Sequence, residues 1–179
     1  IVYDYCEKGL NASIIHPSGI FGPNDFKPSL FGQEFINIAN GKRSYTVNIG
    51  YDYVDVRDLC AAAIKCIEKG EPKQNYIVGG NYIDFVGISK VMSKKLNKQL
   101  IKGTLPFFFV YLSLPSSYLQ AVFFNKPRSA TLDSIHTVKV QNKLIPSNLA
   151  KEMLDHRPRP VDETINDTIE FFQERGLIN

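Results

Sequence analysis

The sequence predicts an α/β fold for this chain, and three observations carry the prediction. The chain has 179 residues, enough for one domain, or one domain with a small satellite, but not for two large ones. Its 44% hydrophobic and 22% charged residues are typical of a folded protein and exclude a disordered chain or a disulfide-rich scaffold. Short apolar runs alternate with segments of helical spacing, as expected when strands and helices follow one another.

Charge and cysteine content exclude further classes of protein. The net charge of +3 is too small to indicate a nucleic-acid partner, so none is expected. Cys6, Cys60 and Cys66 are odd in number and lack the spacing of a zinc site. We therefore expect reduced core thiols in a cytoplasmic protein that holds no metal.

The first predicted elements are a helix end and a strand. Residues 1–8 fit the last turns of a helix, with Gly9 as a left-handed cap. Because no capping residue, initiator Met or signal peptide precedes them, we expect a fragment of a longer protein. The alternative is a chain trimmed by a few residues. Residues 12–16 predict a buried strand that Pro17 ends.

Residues 17–27 predict a loop rich in glycine and proline, at the end of a strand, where open α/β sheets bind ligands. Pro28 is the expected first residue of the next helix, which Gly41 ends. Five apolar residues of that helix follow helical spacing: Leu30, Phe31, Phe35, Ile36 and Ala39.

The middle of the chain predicts strand, helix, strand and helix in turn. Residues 51–56 form the second expected strand, and Asp55 caps a helix that ends at Gly70. Residues 75–78 predict a third strand, and Asp84 caps the helix that follows. The inward positions of the first of these helices are Leu59, Ala62, Ala63, Cys66 and Ile67.

Residues 103–125 carry no charge and are long enough to raise the question of a membrane span. Pro106 and Pro115 divide the run, so we expect a mobile apolar lid over a substrate site, with membrane association unlikely. The alternative is docking on anionic lipid, because the chain between Asp84 and Asp133 has basic residues and no acidic one.

The last part of the chain predicts a short helix from Ser147 to about Leu154 and a proline-rich corner at residues 156–160. An amphipathic helix then follows, and Gly176 ends it. Its expected buried positions are Ile165, Ile169 and Phe172.

Sequence motifs of catalysis are missing. The sequence has no glycine-rich phosphate loop and no nucleophile elbow. His16, His136 and His156 have no Ser or Cys partner at motif spacing and are interpreted as polar residues of loops or strand ends. Periodicity alone therefore predicts an α/β domain with a site built from the loop after the first strand, and no specific function.

Four segments of the sequence resemble one family: residues 9–23, 53–59 and 76–80, and the ending 157–177. They are similar to the extended short-chain dehydrogenases/reductases, the NAD-dependent epimerase/dehydratase family, and most of all to its dihydroflavonol reductase-like members. The resemblance implies the C-terminal part of a Rossmann-type NAD(P)-binding fold with a mostly helical substrate-binding region. Residues 1–80 would be Rossmann-side elements, and residues 81–179 would be the substrate-pocket helices and lid.

The resemblance also implies what this chain lacks. In the family, an N-terminal half supplies the glycine-rich cofactor loop and a catalytic Tyr-x-x-x-Lys pair, and both are absent here. We therefore expect no catalytic residue in this chain, no NAD or NADP bound to it alone, and self-association of its uncovered surfaces. The parent protein would be a nicotinamide-dependent carbonyl reductase or a sugar epimerase/dehydratase. The alternative is a non-catalytic module with a binding or regulatory role.

By the same resemblance, Pro17, Ser18 and Gly19 lie against the nicotinamide, and Ser29 can reach the cofactor phosphates. Pro17 as a plain strand terminator and Ser29 as an ordinary first-turn serine are the structural alternatives. The implied substrate-binding residues, each of which could equally be core, are Phe26, Phe31, Phe35 and Tyr51.

The residue at position 51 indicates the chemical class of the substrate. Nucleotide-sugar epimerases of the family have an arginine at the position of Tyr51, where it clamps the diphosphate, and a phenol cannot replace that cation. The resemblance therefore favours an uncharged aromatic or aliphatic carbonyl compound as the small-molecule substrate. Arg57 is expected to be a surface residue beside the start of its helix.

Overall fold

The computed structural model describes residues 1–124, 132, 133, 135, 136 and 143–179. Seven helices and seven strands within residues 1–124 and 143–179 build the fold. The helices are α1 (Val2–Cys6), α2 (Leu30–Ala39), α3 (Val56–Lys69), α4 (Phe85–Leu96), α5 (Phe109–Phe124), α6 (Asn148–Met153) and α7 (Val161–Glu174). The strands are β1 (Ile14–Pro17), β2 (Gly19–Phe21), β3 (Tyr45–Val47), β4 (Gly50–Asp55), β5 (Asn75–Val78), β6 (Asn81–Asp84) and β7 (Gly103–Leu105).

The strands form three small sheets. β1 pairs with β5 in parallel, from Ile14 opposite Asn75 to Pro17 opposite Val78. β4 is the central strand of the order β2-β4-β6, parallel to β2 and antiparallel to β6. β3 and β7 form a separate parallel pair. The sequence predicted a division between residues 1–80 and residues 81–179. β4 belongs to the first part and β6 to the second, so their pairing joins the two parts. The division itself stays a prediction.

The helix starts follow from capping side chains. Asp55 accepts a hydrogen bond from the Arg57 backbone N–H at 2.8 Å, and Asp84 accepts one from Gly87 at 2.7 Å, so both predicted caps are confirmed. The predicted start of α2 at Pro28 was wrong by two residues. The Ser29 hydroxyl accepts from the Gly32 N–H at 3.0 Å, which makes Ser29 the cap and Leu30 the first helical residue.

Several elements differ from the predictions. The expected loop at residues 17–27 contains β2, which β4 holds in place, and β3, β6 and β7 were not predicted because each has only three or four residues. Pro115 lies inside α5, so the apolar run is not divided there. Cys60 is exposed and Cys6 and Cys66 are half-buried; the prediction of core thiols was therefore wrong, although all three cysteines are free.

Two clusters of buried side chains form the core. In the larger one, α2, α4 and α7 pack together through residues that include Phe35, Met92 and Phe172. The predicted inward face of α7 is confirmed, because Ile165, Ile169 and Phe172 are fully buried. The smaller cluster packs α3 and α6 on β4 and β5, around Val54, Ala62, Tyr76, Val78, Ala150 and Leu154.

Fewer residues of α3 face the core than its hydrophobic periodicity predicted. Ala62 is buried and Leu59 and Cys66 pack beside it, but Ile67 is 88% exposed. Ile67 follows Cys66 directly, so it projects about 100° further round the helix, away from the sheet. The prediction that it faces inward was wrong.

Within the described residues, no helix combines the length and the hydrophobicity that crossing a bilayer requires.

Candidate functional site

One cavity lies beyond the carboxyl ends of two parallel strands. β2 and β4 run side by side and end at the pair Phe21 and Asp55. The cavity that follows has a volume of about 340 Å³, and this is the position where open α/β sheets bind ligands. Its lining residues are Ile20, Phe21, Gly22, Pro23, Asn24, Asp25, Ser29 and Val56.

Gly22 shapes this first cavity. Its φ of 145° lies in a region that side chains disfavour, and a Cβ there would lie 3.1 Å from Val56 Cγ1 and 3.4 Å from Asp55 Oδ1. The turn at Gly22 therefore packs directly on the first residues of α3. The predicted loop-built site and the start of α3 form one continuous wall.

Pro17, Ser18 and Gly19 form the crossing from β1 to β2. Ser18 donates its backbone N–H to the Val78 carbonyl at 3.1 Å, and a Cβ on Gly19 would lie 3.0 Å from the Asp52 carbonyl oxygen. The Ser18 Oγ is buried and has no hydrogen-bond partner among the described residues. A buried hydroxyl without a partner is unfavourable unless something else supplies one, so its chemistry fits a polar group of a bound cofactor.

Ser29 lies in the first cavity, but its hydroxyl is engaged. It donates to Asp25 Oδ2 at 2.9 Å and accepts from the Gly32 N–H at 3.0 Å, while Asp25 also accepts the Ser29 backbone N–H at 2.8 Å. The Asp25 carboxylate thus lies at the N-terminus of α2, where a phosphate would bind. A phosphate that reached Ser29 would have to displace this carboxylate.

The structure brings together three of the four predicted substrate residues. Phe31 and Tyr51 both pack on Tyr53: the ring centroid of Phe31 lies 4.8 Å from that of Tyr53, and the centroid of Tyr51 lies 5.9 Å from it. The ring centroids of Phe35 and Phe31 are 6.2 Å apart. Phe35 is 1% exposed and belongs to the core. Phe26 lies elsewhere: it is exposed, with its ring edge on Phe171.

Burial changes the acidity of the two tyrosines in this ring cluster. It raises the pKa of the Tyr51 phenol, and it raises the pKa of Tyr53 strongly, with neighbouring Tyr51 and Tyr82 adding to the effect. Both phenols are therefore neutral at physiological pH. They can donate a hydrogen bond but cannot supply a cation to a phosphate.

A second cavity of about 420 Å³ lies between β3, β7 and the first turns of α4 and α5. Its two charged lining residues neutralise each other, because Arg43 donates to Glu34 at 2.6 and 3.0 Å. This hydrogen-bonded pairing raises the pKa of the Arg43 guanidinium although burial opposes it. The other lining residues are Tyr45, Thr46, Val47, Ile49, Phe85, Leu105, Phe109 and Val110.

Most of the second cavity could not be predicted from the sequence. Tyr45, Thr46 and Val47 form β3, a strand of three residues that exists only because β7 pairs with it. The aromatic and β-branched residues at 45–47 were the available signal. They were overlooked because so short a run has no measurable period.

Arg57 lies in the first turn of α3 with its side chain 33% exposed, and it is also part of an ion-pair network that was not predicted. Its guanidinium donates to Asp55 at 3.0 and 2.7 Å and to Asp167 of α7 at 2.7 Å. Arg159 donates to Asp58 at 3.0 and 2.7 Å and lies 3.5 Å from Asp55. The network joins the wall of the first cavity to the proline-rich corner and to α7.

Asp55 is ionised within this network. Burial opposes ionisation of its carboxyl, but hydrogen bonds from Arg57 and Thr164 and the charge of Arg159 outweigh burial and hold its pKa below the usual value. The Asp55 side chain is only 1% exposed. Its charge therefore serves the architecture of the cavity wall.

Within the described ranges, no group of three or more His, Cys, Asp or Glu side chains is arranged to hold a metal ion.

Comparison with known proteins identifies relatives about twice as long as this chain. Sterol demethylase protein B of Methylococcus capsulatus is 26% identical over 174 residues, covering 96% of this chain and 52% of the relative. A Synechocystis protein named "Putative dihydroflavonol 4-reductase" is 22% identical over 179 residues, covering 96% and 51%. The chain thus spans about half the length of these curated relatives. No protein-family model matches the sequence.

Solved structures share the fold. The crystal structure of gox2253 is 26% identical and superposes with a TM-score of 0.79, over 99% of this chain and 54% of that one. A nucleoside-diphosphate-sugar epimerase of Pseudomonas aeruginosa is 16% identical, with a TM-score of 0.70 over 99% and 53%. A dTDP-glucose 4,6-dehydratase of Bacillus anthracis, solved with NAD, is 17% identical, with a TM-score of 0.65 over 98% and 50%.

A further structure of this fold, RMD from Pseudomonas aeruginosa, was solved with NADPH; it is 12% identical, with a TM-score of 0.63 over 97% and 52%. The relatives and neighbours of this chain are therefore epimerase/dehydratase and dihydroflavonol reductase-like proteins, some of which bind NAD or NADPH. The predicted resemblance and the Rossmann-type α/β fold class are confirmed.

Proposed function

We propose that this chain, a relative of the epimerase/dehydratase and dihydroflavonol reductase-like proteins, forms the substrate-side half of an NAD(P)-dependent oxidoreductase. The substrate is an uncharged, largely apolar carbonyl compound. The second cavity carries this proposal. At about 420 Å³ it has the size of a small-molecule site, and its lining is aliphatic and aromatic except for Thr46 and one self-neutralised ion pair.

The charges of the site argue against a nucleotide sugar. A diphosphate needs an available cation, but the Arg43 guanidinium is already held by Glu34 through two hydrogen bonds. Tyr51, at the position where nucleotide-sugar epimerases have their clamping arginine, is a neutral phenol. A planar or polycyclic carbonyl compound would instead gain from contact with Phe85, Phe109 and Val47. The names of the two curated relatives, which refer to a sterol and a dihydroflavonol, agree with such a substrate class.

The cofactor side of the proposal rests on Ser18. Pro17 and Gly19 would form a rigid wall beside the nicotinamide, and the buried Ser18 hydroxyl would hydrogen-bond a polar group of the cofactor. Bound NAD or NADP would supply the hydride chemistry. Because this chain contains no Tyr-x-x-x-Lys pair and no glycine-rich phosphate loop, we expect it alone neither to bind NADPH at micromolar concentration nor to reduce a carbonyl.

Substrate class is tested by nuclear magnetic resonance on the chain labelled with nitrogen-15. A dihydroflavonol and a sterol ketone are titrated separately, with UDP-glucose as the charged comparison. We expect the amides of Val47, Ile49 and Val110 to shift with at least one apolar ketone and not with UDP-glucose. Shifts at these amides with UDP-glucose alone would overturn the proposal.

Two variants make this test specific to the second cavity. Ile49→Trp should fill part of the volume and weaken binding of the ketone about tenfold or more. Ile20→Trp, a matched change at an exposed residue lining the first cavity, should leave it unchanged. Equal weakening by both variants would contradict the assignment of the ketone to the second cavity.

A non-catalytic binding module is the second candidate function, and Asp25 favours it. Its carboxylate occupies the N-terminus of α2 and opposes a phosphate there. An assay on the whole protein distinguishes the two functions. Ketone-dependent oxidation of NADPH supports the oxidoreductase, whereas ketone binding with no turnover of either cofactor supports the module.

A further inference from the structure

We propose that the outer surface of α5 docks on the surface of an anionic lipid bilayer. The helix is 16 residues long and contains no charged residue. Exposed large apolar side chains cluster on it and on the residue before it, and membrane contact would remove their apolar surface from water. These side chains are Phe108, Phe109, Tyr111, Leu112, Tyr118 and Phe123.

Two of these residues lie in one stripe along the helix. Phe123 follows Leu112 by 11 residues, which is about three turns, so the two share one side of α5. Tyr111 and Tyr118 are seven residues apart and form a second row, about 100° or more round the helix from the first. Tyrosines at the edge of an apolar stripe are typical of a helix in the interface between lipid and water.

Exposure of this stripe is unusual for a surface in water. Leu112 is 62% exposed and Phe123 is 74% exposed. Large contiguous apolar patches on soluble proteins mark surfaces that bind a partner or a membrane. The 16 described residues of α5 span about 24 Å at 1.5 Å per residue, less than the roughly 30 Å of a bilayer core, so the proposed contact is with the membrane surface.

Charge favours a lipid bilayer over a protein as the occupant. From residue 85 to residue 124 the chain has five lysines and no acidic residue: Lys90, Lys94, Lys95, Lys98 and Lys102. Lys95 pairs with Glu170, but Lys90, Lys94 and Lys102 are exposed. Basic residues that precede an apolar helix in the chain add attraction to the negative surface of membranes that contain phosphatidylserine.

The second cavity connects membrane docking of α5 to the proposed function. Phe109 and Val110, in the first turn of α5, also line the second cavity. An apolar substrate dissolves poorly in water and concentrates in lipid. If the proposed substrate class is correct, a helix that touches both lipid and the cavity shortens its path. The docking itself stands on the surface of α5 and is tested without any substrate.

The inference departs from the sequence-based expectation of a lid that stays off membranes. That expectation depended on Pro115 breaking the apolar run into short segments. In the structure, one helix passes through Pro115 and exposes apolar side chains on both sides of it, from Leu112 to Phe123.

The test uses the absence of tryptophan from the sequence. Leu112→Trp and Phe123→Trp each place a single fluorophore on the stripe, and Ile67→Trp places one on exposed α3 as the matched control. With vesicles of phosphatidylcholine and phosphatidylserine, we expect the emission of the first two variants to move to shorter wavelength and to be quenched by brominated lipid. The control should do neither. No quenching of either stripe variant, or equal quenching of the control, would overturn the proposal.

Co-sedimentation separates specific docking from general adhesion. Leu112→Asp and Phe123→Asp should each weaken vesicle binding about tenfold or more, whereas Ile67→Asp adds the same charge and should not. Binding should fall on pure phosphatidylcholine vesicles and in high salt. Loss of binding by all three variants together would contradict docking through α5. Circular dichroism confirms that each variant is folded.

Discussion

At the scale of single residues, the guanidinium of Arg57 shows how one side chain shapes the candidate site. It holds Asp55, which caps α3 and supports the turn at Gly22, and it reaches α7 through Asp167. The Asp55 carboxylate is almost fully buried, so removing its main partner leaves an inadequately compensated charge.

We expect Arg57→Gln to lower the free energy of unfolding by about 1–3 kcal/mol at neutral pH, because Asp55 keeps only Arg159 and its hydrogen bonds to the backbone and Thr164. Urea denaturation measures the change. Arg157→Gln is the matched control, since its ion pair with Asp155 is about 70% exposed on both sides and should contribute about 1 kcal/mol or less.

The effect of Arg57→Gln should depend on pH. The pKa of Asp55 in the folded chain lies below its unfolded value of about 4, so its ionised form stabilises the fold above that pH. This contribution is lost as the pH falls through the folded-state pKa. The difference between wild type and Arg57→Gln should therefore shrink on acidification, and a difference that grew would contradict this assignment.

Ser18→Ala distinguishes a ligand-binding hydroxyl from a structural one. Because the Ser18 Oγ has no partner among the described residues, removing it should leave the free energy of unfolding unchanged or raise it by up to about 1 kcal/mol. In the whole protein the same change should weaken binding of NAD or NADPH. Calorimetric unfolding and cofactor titration measure the two effects, and a clear loss of stability would show a structural role.

At the scale of elements, the close approach of the β4 and β6 strands depends on Gly80. A Cβ at this position would lie only 1.8 Å from the Tyr53 carbonyl oxygen, which is backbone and cannot move aside. The Gly80 N–H also donates to the buried Asp52 carboxylate at 2.7 Å. The strand pair therefore admits no side chain here.

Gly80→Ala should destabilise the chain by about 2 kcal/mol or more, because the backbone must shift to admit the methyl group. Gly103→Ala in β7 is the control: its Cβ would lie 3.3 Å from a Tyr45 ring carbon, which can rotate away, so the effect should stay below about 1 kcal/mol. Thermal unfolding compares the two, and equal losses would contradict the geometric explanation.

Some elements were predictable because their signals are local. Asp55 and Asp84 stand directly before helices that they cap, and Ile165, Ile169 and Phe172 repeat with helical spacing. β2 and β3 could not be predicted this way, since each is a strand of three residues made by pairing with a distant segment. The ion pair of Arg57 with Asp167 was not predicted for the same reason, because the two residues are 110 apart in the chain.

The candidate site also has parts with a local sequence signal and parts that only distant segments build together. Pro17, Ser18 and Gly19 could be predicted as site residues because they sit in one turn-rich segment that resembles a family motif, and Ser29 because it stands just before a helix. The second cavity was missed because β3, β7, α4 and α5 build it together. The aromatic residues of α2 show the limit of spacing: Phe31 and Phe35 follow one pattern, yet Phe35 is in the core and Phe31 only half-buried.

At the scale of the whole molecule, one face of the β1–β5 sheet is thinly covered. The face that carries Ile15, Tyr76 and Val78 packs on α3 and α6. On the opposite face, His16, Asn75 and Ile77 are exposed, and α1 has no buried residue. The expected self-association remains a prediction, and this face is the surface that we expect to carry it.

Ile77→Lys should reduce self-association, because it replaces the exposed apolar side chain of this thinly covered face with a charge. Sedimentation equilibrium across a concentration range measures the mass. Ile64→Lys, on exposed α3, is the matched control and should associate as the wild type does. A wild-type chain that stays monomeric at high concentration would contradict the prediction.

The ion-pair network described above also determines when folding can be completed during synthesis. Asp58 receives its backbone hydrogen bond from Arg159, 101 residues later, and Arg57 reaches Asp167 only after 110. A ribosome therefore releases the Asp58 carboxylate long before its partner Arg159 exists. Contacts of such long range make folding slow, and until α7 emerges the growing chain presents an open core to chaperones and proteases.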